Sequence, residues 1–144
     1  MLSLMLRQLA TTLVFDSRGR GLFDITRPVA DWAEASGLAS GLLTLFIRHT
    51  SASLVIQENA DADVRADLDR FFARLVPDGD ALFRHRDEGG DDMPAHVRAA
   101  LTATQLSIPI ADGRLVLGTW QAIYLWEHRL RPHRRELALH LVGE

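Results

Sequence analysis

Residues 106–117 read LSIPIADGRLVL. Two apolar runs, Leu106–Ile110 and Arg114–Leu117, flank Asp112-Gly113, a dipeptide suited to the positive φ angles of a two-residue turn between antiparallel strands. An antiparallel sheet is therefore the expected frame. Further strands are expected downstream at Thr119–Trp126 and Glu136–Val142, and upstream at 6–15, Leu22–Ile25, Leu42–Ile47 and Leu54–Gln57. Leu42–Ile47 is uninterrupted in its apolar character, so it reads as a buried strand with His49 just past its end. The clearest helix is 62–75, capped by Asp61. Its residues Val64, Leu68, Phe71, Phe72 and Leu75 fall on one helical face. Thr26 is expected to cap a second helix, with Pro28 in its first turn and Gly37 as its stop. Asp92 is expected to cap a third, running from about Met93 to Thr104. About eight strands and three helices give an α+β fold, mainly an antiparallel two-layer sandwich with helices packed on it.

The 144 residues suit one domain with a core of its own. At 47% hydrophobic and 24% charged, with a net charge of -3, the composition is that of an ordinary globular protein. It argues against general nucleic-acid binding, which calls for a basic surface. There is no cysteine, so thiolate nucleophiles, disulfides and zinc–thiolate sites are excluded. All 16 basic residues are arginine, which excludes Schiff-base catalysis and a phosphate-loop lysine. A genomic bias toward arginine gives the same composition. Any bound anion is left to arginine, histidine, backbone N–H groups or a metal. The N-terminal stretch MLSLMLRQLATTLVF is broken by Arg7, Gln8 and two threonines and reads as a strand, not a signal peptide. No run approaches the roughly 18 apolar residues of a membrane span, so no membrane partner and a cytoplasmic location are expected.

The chemistry concentrates in RHRDEGGDDMPAH, residues 84–96. His85 and His96 bracket Asp87, Glu88, Asp91 and Asp92 around Gly89-Gly90. Imidazoles and carboxylates brought together by a flexible turn suit a divalent metal, an acid–base pair, or both. A solvated acidic loop is the plainer alternative. The spacing matches neither a helical His pair nor a zinc finger, so tertiary contacts must assemble a site, with His49 as the natural third ligand. Asp91 or Asp92 can support such a site or replace a ligand, although helix capping competes for Asp92.

In FIRHTSASL, His49 and Ser51 share a face of the extended chain, but no Gly-x-Ser-x-Gly elbow occurs. Asn59 can orient a substrate or simply serve a turn. Gln121, in GTWQ, has no evident structural task. Glu127 at a strand end can add an acid–base group. Arg129, Arg131, Arg134 and Arg135 form either a phosphate clamp or a solvated turn around Pro132.

Three long runs, FIRHTSASLVIQENAD, HRDEGGDDMPAH and GRLVLGTWQAIYLWEHR, resemble in content and order those of the YjbQ or UPF0047 family of secondary thiamine-phosphate synthases. The resemblance extends over nearly the whole chain. It implies a compact sandwich-like, jelly-roll-like β fold with helices, a homotrimer, and weak thiamine-phosphate synthase activity joining a pyrimidine pyrophosphate to a thiazole phosphate. His49, His85, His96, Glu88, Asp92 and Gln121 match the family's motifs.

The expected function is thus an enzyme with a metal centre, zinc or magnesium, on His49, His85 and His96. Glu88, Asp92 or Glu127 would serve as acid–base or supporting groups. Ser51, Asn59, Gln121, Glu127 and Arg129 would contact a small phosphorylated substrate, with Arg48 or Arg129 holding pyrophosphate. Two alternatives stand beside it: a metal-dependent hydrolase of a phosphorylated small molecule, and a non-catalytic trimeric module binding a small anion.

Overall fold

Among the described residues the chain forms eight strands and three helices. In order these are β1 (Arg7–Asp16), β2 (Gly21–Asp24), α1 (Thr26–Ala35), β3 (Gly41–Ile47), β4 (Ala52–Glu58), α2 (Ala62–Leu75), α3 (Asp92–Leu101), β5 (Gln105–Ala111), β6 (Arg114–Leu115), β7 (Gln121–Glu127) and β8 (Arg134–Gly143). The computed structural model describes residues 5–144; positions 1–4 of the expected N-terminal strand region lie outside the described residues. The strands form a five-stranded sheet ordered β1-β8-β3-β5-β6 and a three-stranded sheet ordered β2-β7-β4, antiparallel at every pairing. This is the expected α+β, antiparallel architecture.

The core lies between the sheets. Leu43, Leu45 and Ile47 of β3 and Leu137, Leu139 and Leu141 of β8 meet Leu54 of β4 and Ile123 and Leu125 of β7, and Val29 and Ala33 of α1 join the same cluster. Each large aliphatic side chain contributes about 1.5–3 kcal/mol when removed from water. The β5–β6 hairpin turns where expected, with φ 51° at Asp112 and 76° at Gly113. Beyond Val116, whose N–H donates to the Pro109 carbonyl, the ladder stops, because Pro109 has no N–H to return. Gly41 and Gly143 face each other where β3 meets β8, and a Cβ on Gly143 would overlap the Ser40 carbonyl.

Several expectations are corrected. The Leu42–Ile47 run is buried on one face only: Leu42 is 38% and Phe46 47% exposed, because nothing among the described residues covers the outer face of the sheet. Thr26 does not cap α1. Its hydroxyl accepts from the Ile123 N–H, and its own N–H donates to Asp24. Asp61 does cap α2, accepting from the Asp63 N–H. The apolar stripe of α2 is only partly used: Phe72 stacks edge-on against Trp126 at 4.8 Å, while Phe71 and Leu75 stay more than half exposed.

A buried ion pair ties the sheets together at one end. Arg135 of β8 donates through Nε to Glu127 of β7 at 2.9 Å and through Nη2 to its other carboxylate oxygen. Ser17 Oγ donates to the same carboxylate at 2.6 Å, and Arg135 Nη2 reaches Ser51 Oγ at 3.0 Å. Burial alone would raise the Glu127 pKa. The hydrogen bonds from Arg135 and Ser17 outweigh it and hold the carboxyl below its usual range. The adjacent His128 is wholly buried against Ser53 Oγ at 2.8 Å, and burial, then the charges of Arg98, Arg20 and Arg135, push its pKa down to about 3.

Glu127→Gln keeps the shape but leaves Arg135 buried without a counter-charge. The expected loss is about 3–5 kcal/mol, seen as a lower urea midpoint at unchanged slope. The contribution of Glu127 is complete above its unfolded pKa of about 4.3 and disappears as pH falls through the lower folded value. His128 destabilises in acid by a different route. The unfolded ring takes a proton near 6.5 while the folded ring refuses it until about 3, so stability falls as pH drops through that window. The cost is at most about 1.4 kcal/mol per pH unit. His128→Asn should flatten the slope of unfolding free energy against pH between those values. An unchanged slope would rule out His128 as its source.

Candidate metal centre

The acidic run folds into a short reversal that delivers its chemistry to the start of α3. Gly89, at φ 104°, donates its N–H to the Arg86 carbonyl, and the Asp92 N–H returns to the Gly89 carbonyl. His85 is thereby brought back over α3, while Asp92 and His96 stand one turn apart on it. His85 Nε2 lies 2.7 Å and His96 Nε2 3.2 Å from the same oxygen, Asp92 Oδ2. Among the described residues, these three bring one ligand atom each within 4.8 Å of one another. The two histidines of the motif are therefore assembled by tertiary contacts.

Asp92 is not a helix cap: the position before α3 is held by Asp91, and neither carboxylate caps the helix. Arg129 takes both instead. Its Nε donates to Asp91 Oδ2 at 2.9 Å, Nη1 to Asp92 Oδ1 at 2.8 Å and Nη2 to the Glu88 carbonyl at 2.9 Å. The Leu130 N–H adds a 3.0 Å bond to Asp91. Burial opposes ionisation of Asp92, but the His85 bond and the charges of His96 and Arg129 outweigh it, so its pKa lies below the usual carboxylate range. With Oδ1 engaged by Arg129, Oδ2 faces the imidazoles.

The donor set fits a divalent cation. His96 Nδ1 lies 2.8 Å from the Thr50 carbonyl, which can only accept, so Nδ1 carries the proton. The Nε2 lone pair then faces a carboxylate oxygen, and something positive must lie between them: a second proton or a metal ion. A ligating histidine anchored through its other nitrogen to a carbonyl is the usual supporting arrangement. Asp91, Asp92 and the more exposed Glu88 all lie within 4 Å of Arg129, so the carboxylates outnumber the arginine that pairs with them.

His49 is left out of this group, and Asp92 occupies the place expected for it. The Glu136 N–H of β8 donates to His49 Nε2 at 2.7 Å, just beyond the β3–β8 ladder, so that lone pair is spent. Burial and then the Arg135 charge lower the His49 pKa. Ser51 and Glu127 are buried in the Arg135 ion pair and do not reach the cluster. Arg129 is committed to carboxylates, and Arg48 pairs with Glu136 at 2.9 Å, so neither is the free anion holder expected of it.

Asn59 and Gln121 lie at the far end of the β4–β7 pair, where Glu58 faces Gln121. The cluster adjoins the near end, where Ala52 faces Glu127. Six residue steps separate the ends by about 20 Å. There Gln121 closes the turn before β7, its Oε1 accepting from the Gly118 N–H at 2.7 Å, and with Asn59 it lines a cavity of about 510 Å3 beside α1. The Thr50 carbonyl had no sequence signal, being backbone. The paired aspartates were a signal for a forked cation such as Arg129.

The family model for UPF0047 protein YjbQ-like chains matches residues 11–144. A UPF0047 protein of Synechocystis sp. is 54% identical over 96% of this chain and 94% of its own length. The UPF0047 protein YjbQ of Escherichia coli O157:H7 is 41% identical over 92% and 96%. Among solved structures, a conserved hypothetical protein of Thermus thermophilus superposes with a TM-score of 0.78 at 35% identity, covering 90% of this chain and 97% of that one. A YbjQ-like protein of unknown function from Sulfolobus solfataricus shares the fold, with a TM-score of 0.88 at 24% identity over 97% and 100%. This chain belongs to the UPF0047, YjbQ-like family.

Proposed function

We propose that the chain is a small enzyme acting on phosphorylated substrates at a divalent cation, zinc or magnesium, held by His85, Asp92 and His96. Within that class we propose weak thiamine-phosphate synthase activity in a cytoplasmic homotrimer. The observation that carries the reading is the convergence of three ligand atoms within 4.8 Å around a histidine whose tautomer is fixed by the Thr50 carbonyl. A cation there supplies Lewis acidity toward a phosphate or pyrophosphate oxygen. The chain's own part is to hold Asp92 ionised, to fix both imidazoles and to keep Arg129 from turning toward solvent. No helix among the described residues is long and apolar enough to cross a membrane.

A second reading is hydrolysis of one phosphorylated small molecule. The cavity beside His85 holds about 140 Å3, which suits one small group better than two joined substrates. Incubating the metal-loaded protein with a phosphoester alone, and separately with the pyrimidine pyrophosphate and thiazole phosphate together, decides between them. Zinc-dependent phosphate release without the second substrate supports the hydrolase; a coupled product supports the synthase.

Metal content after chelation and reloading with zinc or magnesium should approach one ion per chain, measured by plasma mass spectrometry. Asp92→Ala and His96→Ala should abolish it, and His49→Ala should retain it. No ion in the parent protein, or loss on His49→Ala, would sink the site.

Arg129→Lys keeps the charge but loses the fork. Metal affinity should fall about 10–100-fold by calorimetry. Full affinity in that variant would show that Arg129 does not position Asp92.

A further inference from the structure

The recess of about 140 Å3 beside His85 is shared with Arg86, its neighbour in the chain. Phe83, Met93 and Pro94 give the recess an apolar wall, and Asp80 adds its one carboxylate. The segment that carries His85 and Arg86 begins as a tight turn. The Phe83 N–H donates to the Asp80 carbonyl, and the Leu82 N–H donates to Asp80 Oδ1 at 2.9 Å. One oxygen of Asp80 is thus spent on the turn that it starts.

The same turn aims Arg86. Its Nε donates to the Phe83 carbonyl at 2.9 Å and its Nη2 to the Ala81 carbonyl at 3.4 Å. Both partners are neutral, so they orient the guanidinium without cancelling its charge. Among the described residues no carboxylate lies within 4 Å of it, and its Nη1 makes no hydrogen bond. The arginines expected to hold an anion differ on this point: Arg48 is paired with Glu136, and Arg129 with Glu88, Asp91 and Asp92. An oriented guanidinium with unspent charge and open donors is one half of an anion site. A cation on His85, Asp92 and His96 is the other half, and His85 belongs to both the cluster and the recess.

We propose that Arg86 holds the substrate's phosphate: a terminal phosphate enters the recess, with one oxygen toward the cation and another accepting from Arg86 Nη1. This assignment rests on the metal reading for the cation and adds to it the arginine and the substrate class. A terminal phosphate carries about two negative charges and three acceptor oxygens, enough to face a divalent cation and a guanidinium together. A carboxylate brings one charge to the same two partners. The recess is well below the roughly 300–1,000 Å3 of sites that enclose a whole small molecule. It therefore admits the phosphoryl group and the first atoms of its ester, against Phe83 and Met93, while the rest of the substrate lies outside. The class is compounds ending in a phosphate monoester, recognised by that end.

Calorimetry with phenylphosphonate, whose P–C bond resists hydrolysis, and with benzoate reads the site in the zinc-loaded protein. The parent should bind the phosphonate and prefer it to benzoate. Arg86 is exposed, so Arg86→Ala should fold and keep its zinc while its phosphonate affinity falls about 10–100-fold, the loss of a charge-assisted hydrogen bond. Arg86→Gln keeps a donor for the neighbouring carbonyls without the charge and should lose as much, which separates the charge from the shape of the turn. Unchanged phosphonate affinity in either variant, or benzoate bound as tightly as phosphonate by the parent, would overturn the role of Arg86. Zinc content, measured beside each titration, tests the metal reading separately. A parent without zinc refutes that reading. In that case, phosphonate binding by the parent that Arg86→Ala weakens still supports the arginine, and binding that is absent or unaffected overturns it.

Discussion

The Glu127–Arg135 ion pair is the contact on which the arrangement depends. Glu127 ends β7 in the smaller sheet and Arg135 lies at the start of β8 in the larger one, so the pair locks the layers at the end where the chemistry gathers. Ser17, between β1 and β2, and Ser51, between β3 and β4, are drawn into the same network. A charge pair removed from water is costly unless its remaining hydrogen-bonding capacity is used. Here the hydroxyls and the Arg129 N–H use it. That last bond sets the backbone from which Arg129 reaches Asp91 and Asp92. The geometry of the cluster thus descends from an interaction that never touches it.

The site is built with little of its own packing. His85 comes from a glycine-hinged reversal, His96 and Asp92 from successive turns of α3, and the orienting groups from the ends of β7 and β3. The cluster is precise because three elements converge on it, while its surface remains accessible to solvent. Arg129 is the link that commits the acidic loop to the sandwich.

Much of this is legible in the residues themselves. The Asp112-Gly113 turn, the alternating strands and the α2 cap at Asp61 all follow from local chemistry, and so does the gathering of His85, Asp92 and His96 in one short run. What is not legible depends on long-range partners. Placing His49 in the cluster treats a strand-end imidazole as free, and nothing local announces that the Glu136 N–H, 87 residues away, takes its lone pair. Asp92 fits a capping pattern, and only the fold reveals that Arg129 claims it. Gln121 and Asn59 sit in the same motifs as the cluster's neighbours, yet a strand separates its two ends by its whole length. Sequence proximity to a site therefore misleads where the intervening segment is extended.

The strand order has a consequence for how the molecule comes into being. β8 lies between β1 and β3, so the first strand and the third both wait for the last to arrive. Arg7 pairs with Gly143 across almost the full chain. During synthesis at about 5–20 residues per second, the N-terminal strands must persist for seconds without their native neighbour. The apolar residues of β1 and β3 are exposed over that interval, and closure pairs residues far apart in sequence, which slows folding. Until residues 134–143 are made, β1 has no native neighbour and β3 has one edge open.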